Sequence, residues 1–104
     1  MSWSATKEAD RRLSILLLLA QDAQGSANEL LLQEALPQLG HDPSLDAVRA
    51  DLAFLAECGL VTTLDMHGLL AARITARGED VAAGRATVPG VKKPRRGTVP
   101  PASG

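Results

Sequence analysis

The stretch that decides the fold runs from residue 26 to residue 59 and reads SANELLLQEALPQLGHDPSLDAVRADLAFLAECG. Its leucines recur at intervals of three and four residues, which is the period of an amphipathic helix. The first helix is predicted to follow a capping box, in which Ser26 caps the helix and Glu29 reaches back to it. That helix should continue to about Leu39, and Pro37 should kink or tighten its last turn.

A second helix of this stretch, the third of the whole domain, is predicted over about residues 45–58. Either Asp42, followed by Pro43, or Ser44 can cap its start, and Gly59 is a suitable end. At 100° per residue, one face of this helix is apolar and should face the core; it carries Leu45, Val48, Leu52 and Leu55. Two helices joined by a tight turn form a helix-turn-helix.

The flanking sequence completes a small α+β domain. A leucine-rich helix is predicted before the stretch, over about residues 6–23. After it, residues 60–64 and 70–74 predict two short strands of a hairpin, and Thr75 then caps a short closing helix. We therefore predict a three-helix core with a two-stranded hairpin. The residues predicted to be largely buried are Leu16, Leu17, Leu32, Leu36, Val48, Leu52, Leu55, Leu60 and Ile74.

The charge is unevenly distributed along the 104 residues. Eleven Lys and Arg against twelve Asp and Glu give a net charge of −1. Residues 1–84 hold six of the basic residues and all twelve acids (6 − 12 = −6), whereas residues 85–104 hold five basic residues and no acid (+5). Because Pro, Gly and basic residues fill the second segment, we predict a domain over 1–84 and an unpacked, disordered tail over 85–104.

Composition argues against several classes of function. Trp3 and Phe54 are the two aromatic residues, too few for a base-stacking platform. Cys58 is the single cysteine, so neither an internal disulfide nor a multi-cysteine zinc site is possible. No nucleophile elbow, phosphate-binding glycine loop or distinguished carboxylate pair occurs. We expect no catalytic activity, no metal site and no cofactor.

The pair Arg11–Arg12 precedes an apolar run and resembles the start of an export signal. The run of residues 13–20 is short for such a signal and is interrupted by Ser14, and Glu8 and Asp10 stand where a signal carries only positive charge. It is also too short to cross a bilayer, which needs about 20 residues. We therefore expect a buried helix, no membrane association and, with a lone thiol, a cytoplasmic protein.

The order of the predicted elements resembles that of the winged helix-turn-helix fold. VRADLAFLAECGLV at 48–61 resembles a recognition helix followed by the first wing strand, and ARITARGEDVAAG at 72–84 resembles the second wing strand and a closing helix. More narrowly, RRLSILLLLA, ADLAFLAECGLV, ITARGEDVAAGR and PGVKKP together resemble a small family of uncharacterised proteins of Mu-like phages and prophages. The resemblance implies a phage DNA-binding protein that acts as a transcription regulator or as an accessory factor. The phage family itself has no established activity.

In a winged helix, the third helix normally enters the major groove, where Arg, Lys, Asn and Gln read base edges. Here the face opposite the core stripe carries Asp46, Ala47, Ala50, Ala53, Phe54 and Glu57, none of which is a strong base reader. Arg49 is the only positive charge of this helix. We expect it either to contact phosphate or to pair within the helix with Asp46 or Asp51.

Two hypotheses follow. In the first, the protein binds DNA weakly through phosphate contacts of Arg49, Arg73, Arg77, Lys92, Lys93, Arg95 and Arg96. In the second, it binds no DNA, and the outer face of the third helix, with Ala50, Ala53 and Phe54, contacts a protein partner or a second copy. Phe54 could instead tuck under the wing or the closing helix of its own chain. A positive strip joining this helix to the wing would favour the first hypothesis, and an acidic face the second.

Overall fold

The computed structural model describes residues 2–95. These residues form an α+β domain of four α-helices, one 3-10 helix and a three-stranded antiparallel sheet, in agreement with the predicted class. In chain order the elements are α1 (Trp3–Gln21), β1 (Ser26–Asn28), α2 (Glu29–Ala35), a 3-10 helix (Leu36–Leu39), α3 (Leu45–Glu57), β2 (Val61–Met66), β3 (Leu69–Ile74) and α4 (Ala76–Ala82).

The helix-turn-helix forms where the sequence predicts it, but α2 starts differently. The cap of α2 is Asn28, whose side chain accepts from the backbone N–H of Leu31 at 2.9 Å. The predicted capping box is therefore wrong, because Ser26 belongs to a strand. The turn that contains Pro37 tightens into the 3-10 helix, as expected, and Ser44 caps α3 by accepting from the N–H of Ala47.

The core lies between the helices and one face of the sheet. All but one of the residues predicted to be buried lie in it, and α3 contributes Val48, Leu52 and Leu55 at 0% exposure. The prediction for Leu17 is wrong, since this side chain is only partly buried at the edge of the core. Leu39, at the end of the helix predicted to follow Ser26, is 41% exposed because the 3-10 turn rotates it outward.

The sheet has the strand order β1-β3-β2. The predicted hairpin is confirmed, with Val61 opposite Ile74 and Met66 opposite Leu69. Its turn is tight, because His67 and Gly68 both have positive φ (56° and 85°), as in the two-residue turns that suit a twisted hairpin. The expectation of only two strands is wrong, because β1 pairs with β3 from Ser26 opposite Arg73 to Asn28 opposite Ala71.

The closing helix lies directly against Leu60, the residue that precedes β2. Thr75 caps α4, as predicted, by accepting from the N–H of Gly78 at 3.0 Å. A Cβ atom at position 78 would stand 2.1 Å from the carbonyl oxygen of Leu60. Only glycine permits this approach of helix to strand.

Residues 86–92 form a segment, here called the C-terminal strap, that packs on the helices. Val88 is buried in the core, and the N–H of Lys92 donates to the carbonyl of Ala9 on α1 at 3.1 Å. The prediction of an unpacked tail from residue 85 is therefore wrong for residues 85–95. The composition predicts disorder, but the strap is held by the packing of Val88 and Val91 and by a hydrogen bond of 3.1 Å from Arg12 to the carbonyl of Gly90. Residues 96–104 lie outside the described part of the chain.

Candidate nucleic-acid or protein interface

The sequence predicts that Arg49 contacts phosphate or a carboxylate of its own helix, but its carboxylate partner lies on another helix. Its guanidinium donates to both carboxylate oxygens of Glu29, at the start of α2, and to the carbonyl of Gly68 in the hairpin turn at 2.9 Å. The expected intrahelical pair with Asp46 or Asp51 is therefore wrong. Arg49 joins α2, α3 and the hairpin, and most of its hydrogen-bonding capacity is taken.

Glu29, the partner of Arg49, is fully buried. Its carboxylate also accepts from the backbone N–H of Leu70, one step beyond the point where β1 ends. The hydrogen bonds from Arg49 and then from Leu70 hold the pKa of the Glu29 carboxyl below its usual value, because both stabilise the charged form. The Glu29 side chain therefore replaces a backbone partner for β3 just beyond the end of β1.

Lys92 is the second predicted phosphate ligand that is already paired. Its Nζ lies 3.2 Å from Oδ1 of Asp10 on α1. The other oxygen of Asp10 lies 2.7 Å from Nε2 of the buried His41. Asp10, which belongs to α1, therefore holds both the strap, through Lys92, and the turn before α3, through His41.

Four of the predicted phosphate ligands, Arg73, Arg77, Lys93 and Arg95, are exposed and make no ion pair with another residue of 2–95. Arg73 donates a long hydrogen bond of 3.3 Å to the carbonyl of Gln24. Lys93 and Arg95 lie beside α1 and Leu39. Arg96 lies outside the described residues. None of the four stands on α3.

The outer face of α3 is small and acidic in the structure, as its sequence indicates. Asp46, Ala50, Ala53 and Glu57 are exposed, and Ala47 is partly buried. Because Arg49 pairs with Glu29, this face presents no unpaired cation to a phosphate backbone.

Phe54 is covered by its own chain, but not by the elements expected. The guanidinium of Arg12 lies 3.9 Å from the centre of the Phe54 ring, within the range of a cation–π contact. On the strap, a Cβ atom at Gly90 would stand 2.5 Å from the ring. These contacts come from α1 and the strap, whereas the sequence predicts the wing or the closing helix, and with Arg12 and Gly90 in place Phe54 is a poor anchor for a partner.

Asp51 has a structural role that its place in the sequence pattern does not predict. This side chain is 1% exposed, and it accepts hydrogen bonds from Arg11 and, at 3.1 Å, from Arg12. The arginine pair that resembles an export signal thus holds α1 to α3. A sequence signal for this exists: Asp51 lies between Val48 and Leu52, beside the apolar stripe of α3, where an unpaired charge would be costly.

Among residues 2–95, no helix combines the length and the apolar character needed to cross a membrane. In the same range, no three side chains of the His, Cys, Asp or Glu type come together as metal ligands would.

Comparison with known proteins places the chain among phage proteins. No family model and no solved structure matches it. An uncharacterised protein, gp26, of Escherichia phage Mu is 49% identical over 86 residues, covering 83% of this chain and 88% of the phage protein. An uncharacterised protein of Haemophilus influenzae is 38% identical over 78 residues, covering 74% of this chain and 76% of that protein. The chain therefore belongs to the family of the phage Mu protein gp26.

Proposed function

We propose that this protein is a winged-helix protein of Mu-like phages that works by protein contact, made through the outer face of α3. The order of its elements supports the fold assignment. A helix, a short strand, two helices of a helix-turn-helix and a hairpin follow one another, and the short strand pairs with the last strand of the hairpin. In this fold α3 occupies the position of the recognition helix.

The observation that carries the proposal is the chemistry of the exposed face of α3. A helix that reads DNA presents Arg, Lys, Asn or Gln to the groove, whereas this one presents Asp46, Ala50, Ala53 and Glu57. Its single arginine is held by the buried Glu29. Two carboxylates repel phosphate, and the small alanines allow another protein's backbone to approach closely.

A photo-crosslinking amino acid at Ala53 tests this directly. The full-length protein would be produced with the crosslinker at Ala53 during growth of the phage, irradiated and analysed by mass spectrometry. The matched control carries the same group at Ala83, which is exposed at the end of α4. We expect a specific phage or host protein, or a second copy, to be crosslinked at position 53 and not at position 83.

A second substitution distinguishes contact from proximity. Ala50→Arg adds a large cation one turn from Ala53 and should abolish the crosslink to the identified protein. Crosslinks from position 53 to nucleic acid would contradict the proposal, and so would a crosslink that Ala50→Arg leaves unchanged.

Weak DNA binding is a second candidate, favoured by the four exposed cations that make no ion pair among the described residues. Arg73, Arg77, Lys93 and Arg95, with Arg96, would contact phosphates and not bases. Neutralising about five phosphates gives a slope of log affinity against log salt of roughly −4 to −5, so that binding should be weak at physiological salt and blind to sequence.

A DNA titration at several salt concentrations tests this candidate. The comparison should use full-length protein, since truncation after residue 84 would remove the buried Val88 of the strap. Changing Lys93, Arg95 and Arg96 together to Ala should reduce the salt slope by about three. Arg85→Ala, at a residue already paired with Asp80, is the control and should have little effect. Tight binding to one defined sequence would show that α3 reads bases and would contradict both proposals.

A further inference from the structure

The strand β2 lies at the edge of the sheet. Its neighbour on one side is β3, and no described element pairs with its other side. Native proteins usually protect such an edge with proline, lysine or a bulge. None of these occurs between Val61 and Met66, where the register with β3 is continuous; the charged side chain in this range, Asp65, accepts from the backbone N–H of Gly68 in the hairpin turn at 2.8 Å.

The pattern of hydrogen bonds shows which groups of β2 are unpaired. The N–H of Thr75 donates to the carbonyl of Leu60, so this opposed pair is of the hydrogen-bonded kind. Because such pairs alternate in antiparallel sheets, Thr62 and Leu64 also bond to β3. The backbone groups of Thr63 and Asp65 therefore point away from the sheet.

The side chains of β2 are exposed on both faces of the hairpin from Thr62 onward. On the face turned away from the core, Leu64 is 62% exposed and Met66 is 54% exposed. Large apolar side chains at these exposures, beside unpaired backbone groups, are typical of a strand that pairs with another chain.

We infer that β2 pairs antiparallel with β2 of a second copy, about a twofold axis that passes through Leu64, to form a six-stranded sheet. The backbone N–H and C=O of Thr63 in each copy then exchange hydrogen bonds with those of Asp65 in the other copy. Leu64 lies opposite Leu64, and Thr62 lies opposite Met66. On one face of the sheet the two Leu64 side chains meet, and on the other face the hydroxyl of Thr63 meets the carboxylate of Asp65.

Neighbouring registers are less favourable. Opposed residues must share a face, so the axis must pass through a residue, and the nearest alternatives to Leu64 are Thr63 and Asp65. An axis at Asp65 places two carboxylates opposite each other, which is repulsive. An axis at Thr63 places Val61 opposite Asp65, which gives an apolar residue a charged neighbour.

The domain presents this edge in a fixed position. Arg49 donates to the carbonyl of Gly68 in the turn, and Glu29 accepts from Leu70 of β3, so the hairpin is held on the side away from the free edge. Because the strand is already ordered, pairing costs little conformational entropy of the backbone. The inference uses a different surface from the outer face of α3, so it stands or fails independently of the proposed function.

The dimer should be weak. A six-residue strand is about 20 Å long, at 3.4 Å per residue, and interfaces below about 1,200 Å² are typical of transient complexes. We expect monomer and dimer to exchange at micromolar protein concentration, as seen by sedimentation velocity.

Disulfide trapping tests the register. Single cysteines would be placed at Thr62, Thr63 or Leu64 in full-length protein with Cys58→Ser, and equilibrated in a glutathione redox buffer. Only the residue on the axis faces its own copy, so Leu64→Cys should give at least tenfold more disulfide dimer than Thr62→Cys or Thr63→Cys. Stronger trapping by Thr63→Cys would overturn the register, and equal trapping by all three would overturn the interface.

A charge substitution tests the interface without a covalent bond. Leu64→Lys places two ammonium groups opposite each other and should raise the dimer Kd at least tenfold, whereas Ala83→Lys, which adds the same charge on α4, should not. Unfolding curves of both variants establish that they are folded. A protein that stays monomeric up to 1 mM, or a Leu64→Lys variant with an unchanged Kd, would overturn the inference.

Discussion

Two buried carboxylates hold two different regions of this molecule. Asp51 joins α3 to α1 through Arg11 and Arg12, inside the helical body. Glu29 joins α2 to α3 and to the hairpin through Arg49 and the N–H of Leu70. Both are almost completely buried, at 1% and 0% exposure, and both bind arginine.

Their surroundings differ. Around Asp51, the helical body has a continuous apolar core that includes Leu16, Leu52 and Leu55. The base of the hairpin packs on this core through Val61, Ala72 and Ile74, but its outer part has little apolar support, since every residue from Thr62 to Gly68 is exposed. The comparison indicates that apolar packing stabilises the body, with Asp51 fixing the relation of its helices, whereas polar contacts set the position of the outer part of the hairpin.

The largest expected effect is the loss of a core side chain in the body. Leu52→Ala removes packed methylenes at a fully buried position and should lower the free energy of unfolding by about 2–5 kcal/mol. Chemical denaturation at neutral pH measures it. Leu30→Ala, at a leucine that is 47% exposed, is the control and should cost far less. A loss under about 1 kcal/mol for Leu52→Ala would contradict the central role of the apolar core.

The sequence predicts well whatever depends on local periodicity. The stripe of α3, the Thr75 cap and the hairpin each depend on residues close to one another in the chain, and all are present. Strand β1 could not be found in this way, because Ser26–Asn28 is short and polar and is a strand only through its pairing with β3, more than forty residues later.

The candidate site was harder to predict for the same reason. Arg49 and Lys92 appear available in the sequence, yet Glu29 and Asp10, both distant in the chain, neutralise them. Arg11 and Arg12 resemble a targeting signal until Asp51 is brought beside them. Ion pairs between remote residues leave no periodic signal, so cations counted from the sequence overestimate those available to DNA.

A smaller effect is expected when the polar contact within the body is removed. Asp51→Asn keeps the volume but leaves the charges of Arg11 and Arg12 without their buried partner, and should cost about 1–3 kcal/mol in the free energy of unfolding. Asp46→Asn, at an exposed carboxylate of the same helix, is the control. Denaturation of both variants at neutral pH measures the difference. Equal stability of the two would mean that the core alone holds α1 on α3.

The smallest expected effect is on the dependence of stability on pH, and it concerns the hairpin. The folded protein lowers the pKa of Glu29 below the ordinary value of 4.5, so on acidification the unfolded chain takes up this proton first. The stabilisation from Glu29 is therefore fully present above about pH 4.5 and is lost as the pH falls through the lower pKa of the folded state.

Glu29→Gln, which cannot ionise, should destabilise the protein at neutral pH, and its deficit in the free energy of unfolding should shrink as the pH falls below 4.5. Glu34→Gln, at an exposed position of α2, is the control. Urea denaturation in steps from pH 7 to pH 3 measures the three curves, and hydrogen exchange at the amide of Leu70 reports whether the loss is centred on the hairpin. If the deficit of Glu29→Gln stayed constant over this range, the charge of Glu29 would not be what holds the hairpin to α3, and the contrast between the two carboxylates would rest on packing alone.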